Sequence, residues 1–297
     1  MTSGCACYPV LLLSRSCRAS SSRHCGHVDD SHRLAFLAYR GVTDTAPDLR
    51  PPLIVNRVSI ANVTMDGAVE EICAAAADAE RRSFFFANAD CLNIAAQSTD
   101  YHEALCAPGV KVYADGIGVR LAGWISRRPV VANVNGTDMF PLLCERAAQR
   151  GLRVFFLGAA AGVARRAADE MLVRYPDLKV AGVRDGFFDH ESCDDVIDEV
   201  NRSQAHILMV AFGAPRQELF IHRYAERLTV PVRMGVGGLF DFYSGDKPRA
   251  PRWVRRVCLE WAWRLAVEPR RLWRRYLVGN PLFLARVVLW QLRGRNR

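Results

Sequence analysis

Asp115 stands in Tyr113-Ala-Asp-Gly-Ile-Gly118, directly after the apolar run Val110–Ala114 and before glycines that keep its surroundings open. A carboxylate so placed can accept a proton from an attacking hydroxyl, provided its ordinary pKa of about 3.9 is not driven far away. Asp before Gly is also turn chemistry, and spacing alone favours the turn. Asn88 closes the run Phe84-Phe85-Phe86-Ala, and Asn135-Gly136-Thr137-Asp138 places further polar groups at loop positions. These could hold a sugar or cap helices, capping being the better fit for Thr137 and Asp138.

Three glycine-bearing segments could bring backbone close to a ligand. Gly158-Ala-Ala-Ala-Gly162 opens a helix, and its free backbone N–H groups could meet a phosphate, or its small residues could serve close helix–sheet packing. A P-loop is excluded because no Gly-Lys-Ser/Thr is present, and an ordinary dinucleotide site is disfavoured because no Gly-x-Gly-x-x-Gly with a following acid occurs. Gly213-Ala-Pro-Arg-Gln217-Glu puts Pro215 at a first-turn position and Gln217 where its amide could bond a base or sugar, or simply be solvated. Gly235-Val-Gly237-Gly238 ends a strand, as close ligand approach or a tight turn would require. In the tail, Arg264, Arg271 and Arg274 are spaced seven and three apart, so a continuous helix would align them, although Pro269 interrupts it.

These groups need a scaffold, and from Leu53 the chain alternates short apolar runs with helix-like stretches, the pattern of βα units around a buried parallel sheet. The expected strands are Leu53–Val58, Ser83–Asn88, Val110–Ala114, Arg153–Gly158, Lys179–Val183, Ile207–Phe212 and Val232–Val236. The expected helices are Met65–Arg81, Asp138–Arg150, Ala161–Tyr175, Ser192–Ser203 and Arg216–Arg227. The fold class is therefore α/β, a mostly parallel, doubly wound sheet flanked by helices, with ligands outside the carboxyl ends of its strands. Three regions follow: a disordered leader over 1–52, rich in Ser, Arg and Cys, an α/β core over 53–246, and a basic amphipathic helical appendage over 247–297. The irregular spacing of Cys5, Cys7, Cys17, His24 and Cys25 does not match a zinc site, and the ten scattered cysteines read as reduced packing thiols of a cytoplasmic protein.

The 297 residues are half apolar and about a quarter charged, which excludes disordered, collagen-like and coiled-coil chains. Residues 247–297 hold fourteen basic and two acidic side chains, against twenty and twenty-five over 53–246, so the net charge of +9 resides in the tail. Such asymmetry points to an anionic partner docking at one place. No run approaches the roughly 18 apolar residues of a membrane span. The tail's stripe of Trp253, Val257, Trp261 and Leu265, followed by Phe283, Val287 and Trp290, favours an anionic membrane surface over nucleic acid. A helix pair packed on the body with a solvated cationic face is the competing reading.

Taken in order, Asn88-Ala-Asp, Asp115-Gly-Ile-Gly, Asn135-Gly-Thr-Asp, Gly213-Ala-Pro-Arg-Gln-Glu, Gly235-Val-Gly-Gly-Leu-Phe-Asp-Phe, Arg249-Ala-Pro, Glu260-Trp and Glu268-Pro-Arg-Arg-Leu-x-Arg-Arg-Tyr resemble the WecG/TagA/CpsF glycosyltransferases, glycosyltransferase family 26, over about residues 53–290. The resemblance implies a Rossmann-like core whose C-terminal appendage completes the active site. It implies an inverting, metal-independent hexosyltransferase without a cofactor, moving a sugar from a UDP-sugar donor to a polyprenyl-diphosphate-linked saccharide. The enzyme would lie peripherally on the inner face of the cell membrane, and a homo-oligomer is compatible with that placement.

In the same resemblance Asp115 matches the proposed general base, Asn88 and Gln217 match substrate-contacting positions, and Arg264, Arg271 and Arg274 match appendage arginines that meet diphosphate. Attack on the anomeric carbon opposite the leaving UDP inverts configuration, while guanidinium groups stabilise the growing charge. Many relatives carry Thr two residues before Asn88, where this chain has Phe86, and the Asn-Ala-Asp-Cys-Leu-Asn-Ile form looks like the exopolysaccharide branch. Transfer of glucose or of N-acetylmannosamine both fit. A non-catalytic nucleotide-sugar-binding scaffold of a polysaccharide assembly complex is the alternative from another class.

Overall fold

The structure, a computed structural model, describes residues 50–251, 254–255 and 259–294. Residues 1–49 of the expected leader, with its cysteines and His24, lie outside the described residues, as do Trp253 and Val257 of the tail stripe.

Strands and helices alternate as the apolar periodicity requires. In chain order they are β1 (Leu53–Val55), β2 (Val58–Ala61), α1 (Met65–Ala77), β3 (Arg82–Ala87), α2 (Ala89–Ala95), α3 (Thr99–Cys106), β4 (Val110–Ala114), α4 (Ile117–Ile125), α5 (Gly136–Gln149), β5 (Arg153–Gly158), α6 (Val163–Arg174), β6 (Lys179–Arg184), α7 (Asp194–Arg202), β7 (Ile207–Ala211), α8 (Arg216–Arg223), β8 (Val232–Gly235) and α9 (Leu239–Tyr243). The tail adds α10 (Glu260–Val267), α11 (Pro269–Trp273), a π-helical stretch (Arg274–Gly279) and α12 (Asn280–Leu292).

Among the described residues, eight strands make one sheet in the order β1-β2-β4-β3-β8-β7-β5-β6. Every pairing is parallel except β1 with β2. The expected strand Leu53–Val58 is instead a hairpin, because Asn56 and Arg57 both take left-handed φ, of 48° and 68°, and turn the chain back. The central strands read as continuous apolar runs because helices cover both faces. Phe85, Val112, Leu157, Leu208 and Val210 belong to the core on one side, and Phe84, Tyr113, Val154, Phe156, Met209 and Met234 to the core on the other.

Local capping explains where several helices begin. Asn88 Oδ1 accepts from the Asp90 and Cys91 amides and starts α2; Ser98 Oγ accepts from the Tyr101 amide and starts α3. Neither helix is visible as apolar periodicity. The helix expected from Asp138 begins at Gly136, because Asn135 is the cap: its Oδ1 accepts from the Asp138 amide, and its Nδ2 donates back to Asp138 Oδ2, each at 2.8 Å. Cys73, Cys91, Cys144 and Cys193 are buried free thiols that pack, as expected, and burial pushes the Cys73 thiol up to about 11.

The tail is fastened to the core by packing and by charge. The α12 side chains Phe283, Val287 and Trp290 are buried with α2 and α4, and the Phe283 ring lies against Gly118, where a Cβ would be in ordinary contact with it at 3.8 Å. Asn93 of α2 donates to the Gly279 carbonyl at 2.8 Å and accepts from Arg286 at 2.8 Å. At the start of the tail, Asp138 receives both Arg249 and Arg255. Burial opposes the Asp138 charge, but Arg249, Asn135 and Arg255 together hold its carboxyl below the usual range. No helix among the described residues is long and apolar enough to cross a membrane.

Phe283 has no exposed surface, so its removal leaves a cavity between tail and core. We expect Phe283→Ala to lower unfolding free energy by about 3–5 kcal/mol in urea titration. A loss below about 1 kcal/mol would show that the tail does not depend on this contact.

Candidate active site

The loops after β3, β4, β7 and β8 open at the carboxyl edge of the sheet into a cleft of about 450 Å³, and the tail forms its other wall. From the core it is lined by Asn88, Asp115, Gly116, Asn135, Gly136, Thr137, Asp138, Gly213, Gln217, Gly237 and Gly238; from the tail come Trp261, Trp263, Arg264, Arg271, Arg275 and Tyr276. Residues separated by about 150 positions therefore share one cavity. Of the candidate catalytic and substrate-binding residues, Gly158 and Arg274 are the two that do not line it.

Asp115 sits at the junction of β4 and α4, held by its own amide to the Ala87 carbonyl at 3.0 Å. The following Gly116 takes φ of +89° and begins α4 without a side-chain cap, a backbone shape that a non-glycine residue would adopt only with strain. Burial raises the Asp115 carboxyl above the usual carboxylate value, Arg264 opposes that rise, Glu260 adds to it, and Arg275 and a hydrogen bond from Asn88 pull the other way. The result is a desolvated carboxylate that binds a proton more readily than in water yet has cations beside it. Asn88 caps α2 with Oδ1, one of the two roles its position allowed, and it also hydrogen-bonds Asp115, which the sequence did not indicate.

The cationic wall is arranged by acidic neighbours. Arg264 donates to Glu260 at 2.9 Å and lies over the Phe242 ring at 4.7 Å, while its buried Nε has no partner. Arg271 pairs with Glu268 at 2.8 Å, Arg275 with Asp90 at 3.3 Å, and Lys247 bridges Asp241 at 2.9 Å and Glu268 at 3.6 Å. As Pro269 implies, no continuous helix aligns Arg264, Arg271 and Arg274. Glu268 leaves helical geometry at φ −127° and ψ 61°, and the chain restarts at Pro269. In the new register Arg271 and Arg275, four apart, share the cleft-facing side, and the Arg274 guanidinium lies 5.3 Å from the Trp273 ring centre instead. Counting i to i+4 from a restart at Pro269 would have found Arg275; Lys247 had no such signal.

Gln217 is buried rather than projecting freely. Its Oε1 accepts from the Gly237 amide at 2.8 Å and the Gly213 amide at 3.2 Å, tying two of the glycine loops together. Pro215 caps α8 after a cis peptide bond from Ala214. Gly158 belongs to strand packing: at φ +120° its missing Cβ would stand 2.6 Å from the Ala211 carbonyl oxygen. The acidic group Asp194–Asp195 lies at the start of α7, paired with Arg227 and Arg184, and does not reach the cleft.

The ordered motifs, the sheet and the tail-walled cleft can be set beside known proteins. The profile of the Glycosyl transferase WecG/TagA/CpsF family matches residues 54–297. Over 176 residues the chain is 36% identical to the N-acetylglucosaminyldiphosphoundecaprenol N-acetyl-beta-D-mannosaminyltransferase of Bacillus spizizenii, covering 59% of this chain and 67% of that protein. Over 183 residues it is 33% identical to the protein of the same name from Bacillus subtilis, covering 62% and 70% respectively. With nearly all of its described residues inside the family profile, and with the cleft built from the segments that carry the likeness, the chain belongs to the WecG/TagA/CpsF family of glycosyl transferases.

Proposed function

We propose that this protein is an inverting hexosyltransferase that moves a sugar, of the N-acetylmannosamine or glucose type, from a UDP-sugar to a polyprenyl-diphosphate-linked saccharide at the cytoplasmic face of the membrane, in cell-surface polysaccharide synthesis. The observation that carries the reading is the meeting of Asp115 with Arg264, Arg271 and Arg275 in one cleft. The activity named for the two Bacillus relatives, which uses a polyprenyl-diphosphate acceptor, supports it.

In this mechanism Asp115 takes the proton of the acceptor hydroxyl as its oxygen attacks the anomeric carbon from the face opposite UDP. Burial raises the affinity of the Asp115 carboxyl for a proton, which makes the carboxylate a stronger base than one in water. The tail guanidinium groups stabilise the charge that grows on the departing diphosphate. The reading gives this task to arginine and none to a metal ion. Arg275 takes the place expected of Arg274, which lies outside the cleft. Phe86 lines the cleft where many relatives would offer a hydroxyl, so it shapes the donor preference.

The competing scaffold reading predicts binding without turnover, and one assay separates the two. Purified protein is given UDP-N-acetylmannosamine or UDP-glucose, a synthetic lipid-diphosphate sugar and a chelator, and UDP release is followed. We expect turnover with one donor, loss of at least about a hundredfold in Asp115→Ala with UDP binding retained, and a larger loss in Arg275→Ala than in Arg274→Ala. Because the Asp115 pKa is raised, the wild-type rate falls on the acid side at a pH above that of an ordinary carboxylate. Full activity of Asp115→Ala would remove the assigned base.

The membrane part of the reading rests on the tail's outer surface. Leu277 and Val278 in the π-helical stretch are 56% and 53% exposed, beside Arg270 and Arg274. Exposed apolar groups set among cations suit an anionic lipid surface, each cation there contributing about 1 kcal/mol. Replacing Leu277 and Val278 with Ser is expected to release the protein from phosphatidylglycerol vesicles in a sedimentation assay while leaving its melting temperature within about 2 °C. Unchanged vesicle binding would move the lipid contact elsewhere.

A further inference from the structure

Glu218 follows Gln217 on α8 and is almost wholly buried, 1% exposed, in a position the mechanism above does not use. Its Oε1 accepts from Gln217 Nε2 at 2.7 Å, and its Oε2 is sealed from solvent with no hydrogen bond of normal geometry. Gln217 Oε1, in turn, accepts from the Gly213 and Gly237 amides. Two backbone donors require an oxygen between them, so the amide nitrogen must point the other way, and there only an acceptor is tolerated. The Glu218 carboxyl group supplies that acceptor. Both glycines have left-handed φ, of 77° and 60°, with nothing within 4 Å of where a Cβ would stand, and the Gln217 side chain joins their two loops through its carbonyl oxygen.

We propose that Glu218 is a positioning residue: by fixing the orientation of the Gln217 amide, it clamps the Gly213 and Gly237 loops in register with each other at the wall of the cleft. That this wall receives the UDP-sugar rests on the function proposed above; the clamp itself does not.

The groups facing Glu218 are few. Tyr101 approaches from α3 and Cys91 from α2, both with their ionisation pushed up by burial, while Gln217 is the polar neighbour on its own helix. The adjacent strand β8 offers Gly235, whose missing Cβ would stand 2.9 Å from Gln217 Nε2. Burial pushes the Glu218 carboxyl up to about 7, against the pull of Gln217 and of the Tyr101 hydroxyl. Raising pH through that value turns a neutral acceptor into a charged one, which strengthens the Gln217 bond and, through the polarised amide, the two bonds to glycine.

The test uses the full-length, isotope-labelled protein and reads the Gly213 and Gly237 amide resonances between about pH 5.5 and pH 8.5, the range that brackets this ionisation. In the wild type both amide protons shift downfield together with one midpoint near 7. In Glu218→Gln, which keeps the acceptor and cannot ionise, the step is absent and both amides stay protected from exchange. In Glu218→Ala protection of both falls, and the donor KM rises about tenfold with a smaller change in kcat, as loss of one hydrogen bond predicts. Glu218→Gln brings KM back toward the wild-type value. Should Glu218→Ala not fold, the comparison of wild type with Glu218→Gln decides. Absence of the common step in the wild type, or amides unaffected in a folded Glu218→Ala, overturns the clamp. If the resonances behave as described and no UDP-sugar is turned over, the clamp stands and the donor assignment falls.

Discussion

A carboxylate withdrawn from water is costly unless charge or hydrogen bonds accompany it, and Asp115 is withdrawn because a separate part of the chain closes over it. With α10 and the π-helical stretch in place, Arg264 and Arg275 stand near the carboxyl group and Asn88 bonds to it, so burial and compensation arrive together. The electrostatic surroundings of the aspartate are therefore set by the docked tail as much as by the loop that carries it. Phe283 against Gly118, and Asn93 against Gly279 and Arg286, are what keep that docking in register.

The arginines of the tail raise a matching difficulty, since several cations crowded around one cavity repel each other when no anion is bound. Each is given an acidic neighbour: Glu260 for Arg264, Glu268 for Arg271, Asp90 for Arg275 and Asp138 for Arg249 and Arg255. Lys247 links the two sets by touching both Asp241 of the core and Glu268 of the tail. These pairs are partly exposed and individually contribute little stability. Their effect is geometric, holding extended side chains in the cleft so that little rotamer freedom is left to lose when a ligand's charge enters.

The legibility of the sequence followed the same division between what local chemistry dictates and what tertiary contacts decide. The parallel sheet was readable because strands covered on both faces must be continuous apolar runs, as in Phe84-Phe85-Phe86 and Val154-Phe155-Phe156. The place of Asp115, Gly213 and Gly237 at the cleft was readable because each follows an apolar strand, and clefts in such sheets open at the carboxyl ends of strands. The β1–β2 hairpin was not, since Asn56 and Arg57 carry no strong turn signal yet both adopt left-handed backbone. The family resemblance pointed to Arg274, and although Pro269 signalled an interruption, the register after the restart, which brings Arg275 to the cleft, is set by tertiary contacts. Gln217 looked like a ligand contact, and its position could not reveal that its carbonyl oxygen is occupied by two backbone donors.

The tail serves two surfaces at once, and this limits how the molecule can be built. Its inner side must present guanidinium groups to a cavity, so it needs acidic partners and aromatic planes such as Phe242 to hold them. Its outer side carries Trp273, Leu277, Val278 and Leu282 toward solvent, where a water-soluble helix would normally place polar groups. A regular helix of 3.6 residues per turn repeats its faces too strictly to separate these demands over so short a span. The π-helical stretch from Arg274 to Gly279 inserts a wider turn between Arg271, which faces the cleft, and α12, which anchors to the core. It lets Arg275 and Tyr276 face inward while Leu277 and Val278 face out. A change that made this segment a regular helix would rotate α12 relative to α11, and either the Phe283 anchor or the Arg271–Arg275 wall would have to give way.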